Sequence, residues 1–251
     1  MLEKIRLPNF FKKLFSFVTE KVKLNLLKYS KSLQKVLELS LDIYKEVAGK
    51  YVIYGSDNTA KEYWISTEKL IYEGGYLNRK RNGKGKEYYH YNGKLIYEGE
   101  FLNGERSGKG KEFNGYTGKM EFDGEYLHGK RNGRGKLYYY NEVLQYEGDY
   151  KDGKRSGQGI YYYANGNRYE GKYVDKKKQG KGIFFYKSGD RYEGDFEDGK
   201  FQGNGIYYFA NGNRYEGEFN DDKIEGRGTK YYDDGSKKFG EWRNNECVKK
   251  F

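Results

Sequence analysis

The residues able to do chemistry recur along this chain instead of converging. Carboxylates come two apart, as Glu98/Glu100, Glu147/Asp149 and Glu193/Asp195, and a pair at such a spacing could serve acid–base catalysis. Each pair, however, belongs to a segment that returns every 23–25 residues. An active site is built once, so a residue type that reappears in nearly every copy is architectural. Its expected work is to keep one face of a strand wet and to pair across strands with Lys or Arg. The Gly-x-Gly elements could cradle a phosphate. Yet Phe113 stands where the run from Gly108 and Gly110 would need the third glycine of a dinucleotide fingerprint, and no Gly-x-x-x-x-Gly-Lys-Ser/Thr occurs. The two histidines, His90 and His128, have no second ligand at metal spacing. His90 sits in Tyr88-Tyr89-His90-Tyr91 and reads as a variant aromatic. Cys247 is the single cysteine, which excludes a disulfide framework and any Cys-based zinc site. No catalytic, cofactor or metal residue is assigned, and a non-enzyme is expected.

Basic clusters are the best binding feature. Arg79-Lys80-Arg81, Lys130-Arg131, Lys154-Arg155 and Lys176-Lys177-Lys178 fall at one place in successive copies. A regular array would line them along one edge, facing an anionic lipid surface or an acidic partner. Near such a membrane each charge adds about 1 kcal/mol. The competing reading is a solvated edge whose lysines prevent sheet-to-sheet association. The net charge is +11, but residues 51–251 carry 37 basic against 32 acidic groups, whereas residues 1–50 carry 11 against 5. Nucleic acid is not expected, because the aromatics that could stack on bases are periodic and needed for the fold.

The elements that must position these residues follow from a composition break. Residues 1–50 hold 10 of the 17 Leu and 1 of the 36 Gly. There Phe10, Phe11, Leu14, Phe15, Val18 and Val22, then Leu33, Val36, Leu37, Leu41 and Tyr44, recur at mostly three- and four-residue spacing, which predicts two or three short helices. No apolar run reaches transmembrane length, Lys12-Lys13 break the early apolar stretch, and no small-residue cleavage site follows. A protein of a reducing, cytoplasmic compartment is expected.

From residue 51 onward the chain is a repeat. An aromatic-acidic-Gly triplet starts at Tyr72, Tyr97, Phe122, Tyr146, Tyr169, Tyr192 and Tyr215, with a worn copy at Phe239. A Gly-x-Gly begins nine residues after each triplet glycine, and every length change falls after it. Such self-similarity marks a stacked array. Alternation puts Tyr97, Gly99 and Phe101 on one face and the carboxylates on the other. A hairpin with Phe101 opposite Gly108 and Gly99 opposite Gly110 would give each ring a bare neighbour to lie across. The pairs Asn92-Gly93, Asn165-Gly166, Asn211-Gly212 and Asp234-Gly235 predict tight turns. Asn103-Gly104-Glu105-Arg106 and Asp152-Gly153-Lys154-Arg155 predict longer polar loops. Seven units give about 14 antiparallel strands and, at roughly 4.8 Å each, a sheet on the order of 65 Å long.

The pattern Tyr-Glu-Gly-Glu/Asp-Phe/Tyr followed by Gly-x-Gly resembles the MORN repeat (membrane occupation and recognition nexus). The resemblance covers residues 70–242, with 51–69 as a degenerate leading hairpin and 243–251 as a C-terminal cap. It implies serial β-hairpins in an elongated single-layer antiparallel sheet, mainly β, behind a small helical segment. It also implies a non-enzymatic scaffold that binds protein partners, tethered to membrane or cytoskeleton. The aromatic face would be the docking groove, through Tyr97 and Phe101, Tyr146 and Tyr150, Tyr169 and Tyr173, Tyr192 and Phe196, and Tyr215 and Phe219, since an exposed apolar patch marks an interaction site. The N-terminal segment is similar to an F-box through Leu7-Pro8, Leu14-Phe15-Ser16-Phe17, Leu24, Leu27 and Lys31. That likeness implies a ubiquitin-ligase substrate adaptor holding a Skp1-like partner through residues 7–45. Residues 9–29 could equally lie as an amphipathic helix on an anionic bilayer, or the helices could cap the array. Open terminal strands also invite a homo-oligomer.

Overall fold

A computed structural model describes residues 49–55, 57–64 and 66–251. The predicted helices, the F-box-like segment and the amphipathic stretch lie outside the described residues. Lys50, taken from the sequence as the end of that segment, opens the first strand.

The described chain divides into two units. The first, ending at Gly104 and including Gly115–Gly118, carries β1 (Lys50–Tyr54), β2 (Thr59–Trp64), β3 (Leu70–Leu77), β4 (Lys80–Tyr88) and β5 (Leu95–Leu102). The second, Glu105–Asn114 with Lys119–Phe251, begins with β6 (Glu105–Phe113), β7 (Met120–Leu127), β8 (Lys130–Tyr138), β9 (Leu144–Lys151), β10 (Lys154–Tyr162), β11 (Arg168–Val174) and β12 (Lys177–Phe185). It continues through β13 (Arg191–Glu197), β14 (Lys200–Tyr208), β15 (Arg214–Asn220), β16 (Lys223–Tyr231), β17 (Lys237–Arg243) and β18 (Glu246–Lys250). Inside each unit every strand pairs antiparallel with its chain neighbours. The residues beyond the seven triplet copies add a hairpin at each end, β1–β2 and β17–β18.

The glycines explain why a sheet with one covered face holds together. In the repeat of β9 and β10, Gly148 lies opposite Gly159. The Tyr146 ring covers both, and a Cβ on either would collide with it. The ring therefore lies flat on backbone, and its hydroxyl reaches along its own strand to donate to the Asp149 carbonyl at 3.1 Å. The same clasp recurs in Tyr72, Tyr97, Tyr169, Tyr192 and Tyr215, each donating to the carbonyl three residues on at 2.8–3.4 Å. Phe122 fills the site without a hydroxyl. Rings of successive repeats meet edge to face: Tyr146 with Tyr150 and Tyr173, Tyr169 with Tyr173 and Phe196, Tyr192 with Phe196 and Phe219. That geometry suits the aromatic quadrupole, so a core forms from one sheet and its own side chains.

Register differs from the expectation in one respect. Glycine faces glycine in both kinds of pairing, Gly159 meeting Gly148 on one side and Gly171 on the other. But the second aromatic faces the first glycine of the preceding strand, as in Tyr173 opposite Gly157 and Phe101 opposite Gly83. Within its own hairpin a β-bulge intervenes, and Tyr150 faces Arg155. The irregularity puts two extra residues on the Gly-x-Gly strand, Tyr150 facing Arg155 while Gly148 faces Gly159, which the alternation pattern alone does not show.

The turns are also interchanged. Asp152-Gly153 is the two-residue hairpin turn, with φ of 49° and 81°, the doubly left-handed geometry that matches strand twist. Asn165-Gly166 instead sits in a five-residue connection between β10 and β11, where only Gly166 is left-handed. Asn165 caps that loop by accepting from the Asn167 amide at 3.1 Å. Asn103 and Gly104 likewise both have positive φ.

Candidate interaction surfaces

The rings expected to form an open groove are core. Tyr97, Phe101, Tyr146, Tyr150, Tyr169, Tyr173, Tyr192, Phe196, Tyr215 and Phe219 are all buried. They are covered by neighbouring rings, and Phe101, Tyr146, Tyr169, Tyr173, Tyr192, Phe196 and Phe219 also by the second side chain of a Gly-x-Gly strand. The aromatic docking face is therefore corrected to an aromatic core.

That covering residue also corrects the basic edge. In the first unit Arg81 lies 4.4 Å from the Tyr72 ring. It donates to both oxygens of Glu62 at 3.1 and 2.9 Å and also bonds Glu87. Glu62 is only 1% exposed and takes a further bond from Lys50 at 2.7 Å. Burial pushes the Glu62 pKa up, but Arg81 and Lys50 outweigh it and the net shift is down. In the second unit Arg131 covers Phe122 at 4.4 Å and reaches Glu112 at 2.9 Å. Arg155 lies 4.7 Å from Tyr161, and Lys178 lies 4.7 Å from Phe184. Burial lowers the Lys178 pKa. Arg81, Arg131, Arg155 and Lys178 thus point into rings. Lys154 and Lys177 pair with Asp175 and Asp198 of the following turn at 3.0 and 2.9 Å. Of the predicted edge, Arg79, Lys80, Lys130 and Lys176 are exposed and have no such ring or carboxylate contact among the described residues.

The repeated carboxylates lie on the opposite face and pair across strands. Glu98 meets Lys86 at 3.9 Å, Glu147 meets Lys136 at 3.5 Å, Asp149 meets Arg134 at 3.6 Å and Asp195 meets Lys181 at 2.8 Å. In the second unit this face carries an open trough of about 740 Å³ over Ile183, Ile206 and the paired glycines. Beside it Arg168, Arg191 and Arg214 lie over Phe185, Tyr208 and Tyr231 at 4.1–4.3 Å. His90 packs its ring 4.9 Å from Trp64. His128 is exposed, 3.2 Å from Glu105. Cys247 lies opposite Trp242 in the last hairpin.

One surface escaped the sequence reading. On the aromatic face, past the buried rings, Tyr161, Tyr163, Phe184, Tyr186, Tyr207 and Phe209 form an unbroken ladder with centroid steps of 4.6, 5.6, 4.7, 6.0 and 4.8 Å. All but Phe184 are half-exposed. The signal was present: aromatics two and four residues beyond the second glycine of Gly157-x-Gly159, Gly180-x-Gly182 and Gly203-x-Gly205.

With the geometry in view, the comparison with known families is decisive. The MORN repeat model matches residues 72–90, 97–114, 122–142, 146–168, 169–191, 192–214 and 215–237. The chain belongs to the MORN-repeat family. MORN repeats are a repeat scaffold, which fits carboxylates and glycines that recur once per unit. No curated protein matches the chain. Among solved structures, it is similar to the SAS-4 (dCPAP) TCP domain of Drosophila melanogaster, solved with a proline rich motif of Ana2 (dSTIL). The two share 15% identity over 77% of this chain and 90% of that chain, with a TM-score of 0.33.

Proposed function

We propose that this MORN-repeat chain is a non-enzymatic scaffold that holds a protein partner along its repeats. The observation that carries the reading is the ring ladder of the second unit. The deeper rings, Phe184 among them, are consumed by the fold, whereas the outer ladder members Tyr163, Tyr186 and Phe209 lie beyond them and offer rigid aromatic surface, the residue type that dominates binding hot spots. Nothing in the fold's own packing of Tyr146, Tyr169 and Tyr192 over their glycines requires the outer members Tyr163, Tyr186 and Phe209 to be aromatic. Affinity capture with mass spectrometry tests this, comparing the full chain with one carrying Tyr163→Ser, Tyr186→Ser and Phe209→Ser. Partners retained by the first and lost from the second are expected. The same partners on both would remove the ladder from the account, and no specific partner on either would remove the scaffold reading.

A further inference from the structure

We propose that the ladder takes a proline-rich segment in polyproline II conformation with basic flanks, laid across the strands of the second unit. The inference rests on the scaffold reading and names the chemistry of its partner. Three observations carry it.

The first is period. Tyr163, Tyr186 and Phe209 come once per repeat, which is once per two strands, so equivalent rings stand about 9.6 Å apart along the sheet. A polyproline II chain advances about 9.3 Å per turn of three residues. A proline every third residue therefore meets an equivalent gap between rings in each of three repeats. An α-helix places residues on one face at alternate three- and four-residue steps and matches this period poorly. An added β-strand would run along the strands and touch one repeat only.

The second is hydrogen-bond polarity. A proline tract has carbonyl acceptors and no amide donors, so its site needs donors. Tyr163 brings a hydroxyl, Tyr186 and Tyr207 share a hydrogen bond that leaves one of their two protons to donate, and Lys230 sits 4.9 Å from the Phe209 ring at the end of the ladder. Burial raises the pKa of all three tyrosines, which keeps their protons available.

The third is charge complementarity. Arg155, Lys178 and Lys230 lie on the ladder's own rings Tyr161, Phe184 and Phe209, whereas the rim outside them, the connections 163–167, 186–190, 209–213 and 232–236, carries Asp190, Asp233 and Asp234 against Lys187. This acidic rim on a chain of net charge +11 suits basic residues flanking the prolines. Aromatic grooves with polar rims recognise prearranged polyproline II segments because little conformational entropy remains to be lost.

Fluorescence anisotropy of the full chain tests the proposal with a labelled decaproline peptide bearing arginines at both ends. Three controls accompany it: the same arginines on a glycine–serine spacer, decaproline bearing glutamates, and an arginine-flanked alanine-rich helix. Saturable binding is expected with the first peptide, weaker by about tenfold with each control. Tyr163→Ser should reduce it by a similar factor, and Tyr186→Phe with Tyr207→Phe, which keep the rings and remove the hydroxyl pair with its one free proton, by a smaller one. Circular dichroism confirms that the variants fold. Equal affinity for the glycine–serine or helical peptide, or wild-type affinity in folded ladder variants, would overturn the proposal. So would no binding of the arginine–decaproline peptide. If the capture experiment above still shows ladder-dependent partners in that case, the scaffold reading survives and only the partner chemistry is wrong.

Discussion

The two units place different chemistry in one slot. In the first, the side chain covering the Tyr72 ring is Arg81, locked to Glu62 and Glu87. Late in the second, the equivalent residue is Phe201, stacked on Tyr192 at 3.8 Å and 13°, and then Ile224, also buried. Between them Arg155 and Lys178 lie over Tyr161 and Phe184. Inside one chain the slot passes from ion pair through cation–π contact to apolar packing, and its neighbour changes in step: Glu87 beside Arg81, Tyr161 beside Arg155, Phe184 beside Lys178, Tyr207 after Phe201. The backbone fixes the space to be filled, and the local pair decides how. A buried ion pair brings little net stability over an apolar filling but is expensive to break on one side.

That contrast can be broken most forcefully at Arg81. Arg81→Ala strands Glu62 without its guanidinium and should destabilise the first unit by about 3–5 kcal/mol. Hydrogen exchange should show the loss in β2–β4 and leave β13–β16 protected. Loss of protection in both units alike would mean that the clasp is not local. Phe201→Ala is the mirror experiment, with a similar cost of about 3–5 kcal/mol in β13–β15. The cause there is a cavity rather than a charge, so it should be insensitive to pH.

Acid separates the two fillings. Glu62 has a lowered folded pKa, so its stabilisation is present above the unfolded carboxylate value and is lost as pH falls through the folded one. Exchange at β2–β4 should accelerate on acidification before that at β13–β16. Base acts on both units. Burial pushes Tyr72, Tyr150 and Tyr215 up to about 12, above their unfolded value. Their contribution is complete below about pH 10 and disappears as pH rises through 12. Tyrosinate absorbance should therefore rise together with unfolding, and smooth titration of a folded chain would contradict the buried ring row.

Smaller changes sharpen the comparison. Lys178 is desolvated between rings, with Asp222 acting on it only at a distance and no carboxylate in ion-pair contact among the described residues, so Lys178→Met should leave stability unchanged or raise it by up to about 1 kcal/mol, against the large loss at Arg81. Lys176 occupies a turn position at φ 74° where other hairpins place Gly153 or Gly199. Lys176→Gly should stabilise by about 1 kcal/mol, read as a shift in denaturant midpoint.

The sequence was most legible where one residue type has one physical reason. Triplet spacing, the glycine pairs and the ring row were readable because only glycine leaves room beneath a tyrosine. The bulge was not, because it depends on the twist of paired strands rather than on alternation. The two turns were exchanged because Asn-Gly favours left-handed backbone in a five-residue loop as much as in a two-residue one, and the deciding quantity, φ at Asp152 and its equivalents, has no composition signal when Lys176 or Asp222 can occupy the second position. The basic edge misled for a related reason. Adjacent cations alternate sides, so Lys154 meets water while Arg155 meets a ring. The half-buried ladder has a weaker signal because its aromatics follow the second glycine rather than the triplet, and alternation alone does not separate them from the deeper rings of the same face.

The confinement of every length change to the Asn-Gly side has a consequence for growth. Residues 169–191, 192–214 and 215–237 are three successive segments of one length, entered and left through pairings of the same kind. A gene duplication that copies one of them inserts a module whose ends already fit, adding one more rung of reach without asking any existing side chain to repack. Length in such a protein is a dial that evolution can turn in fixed clicks.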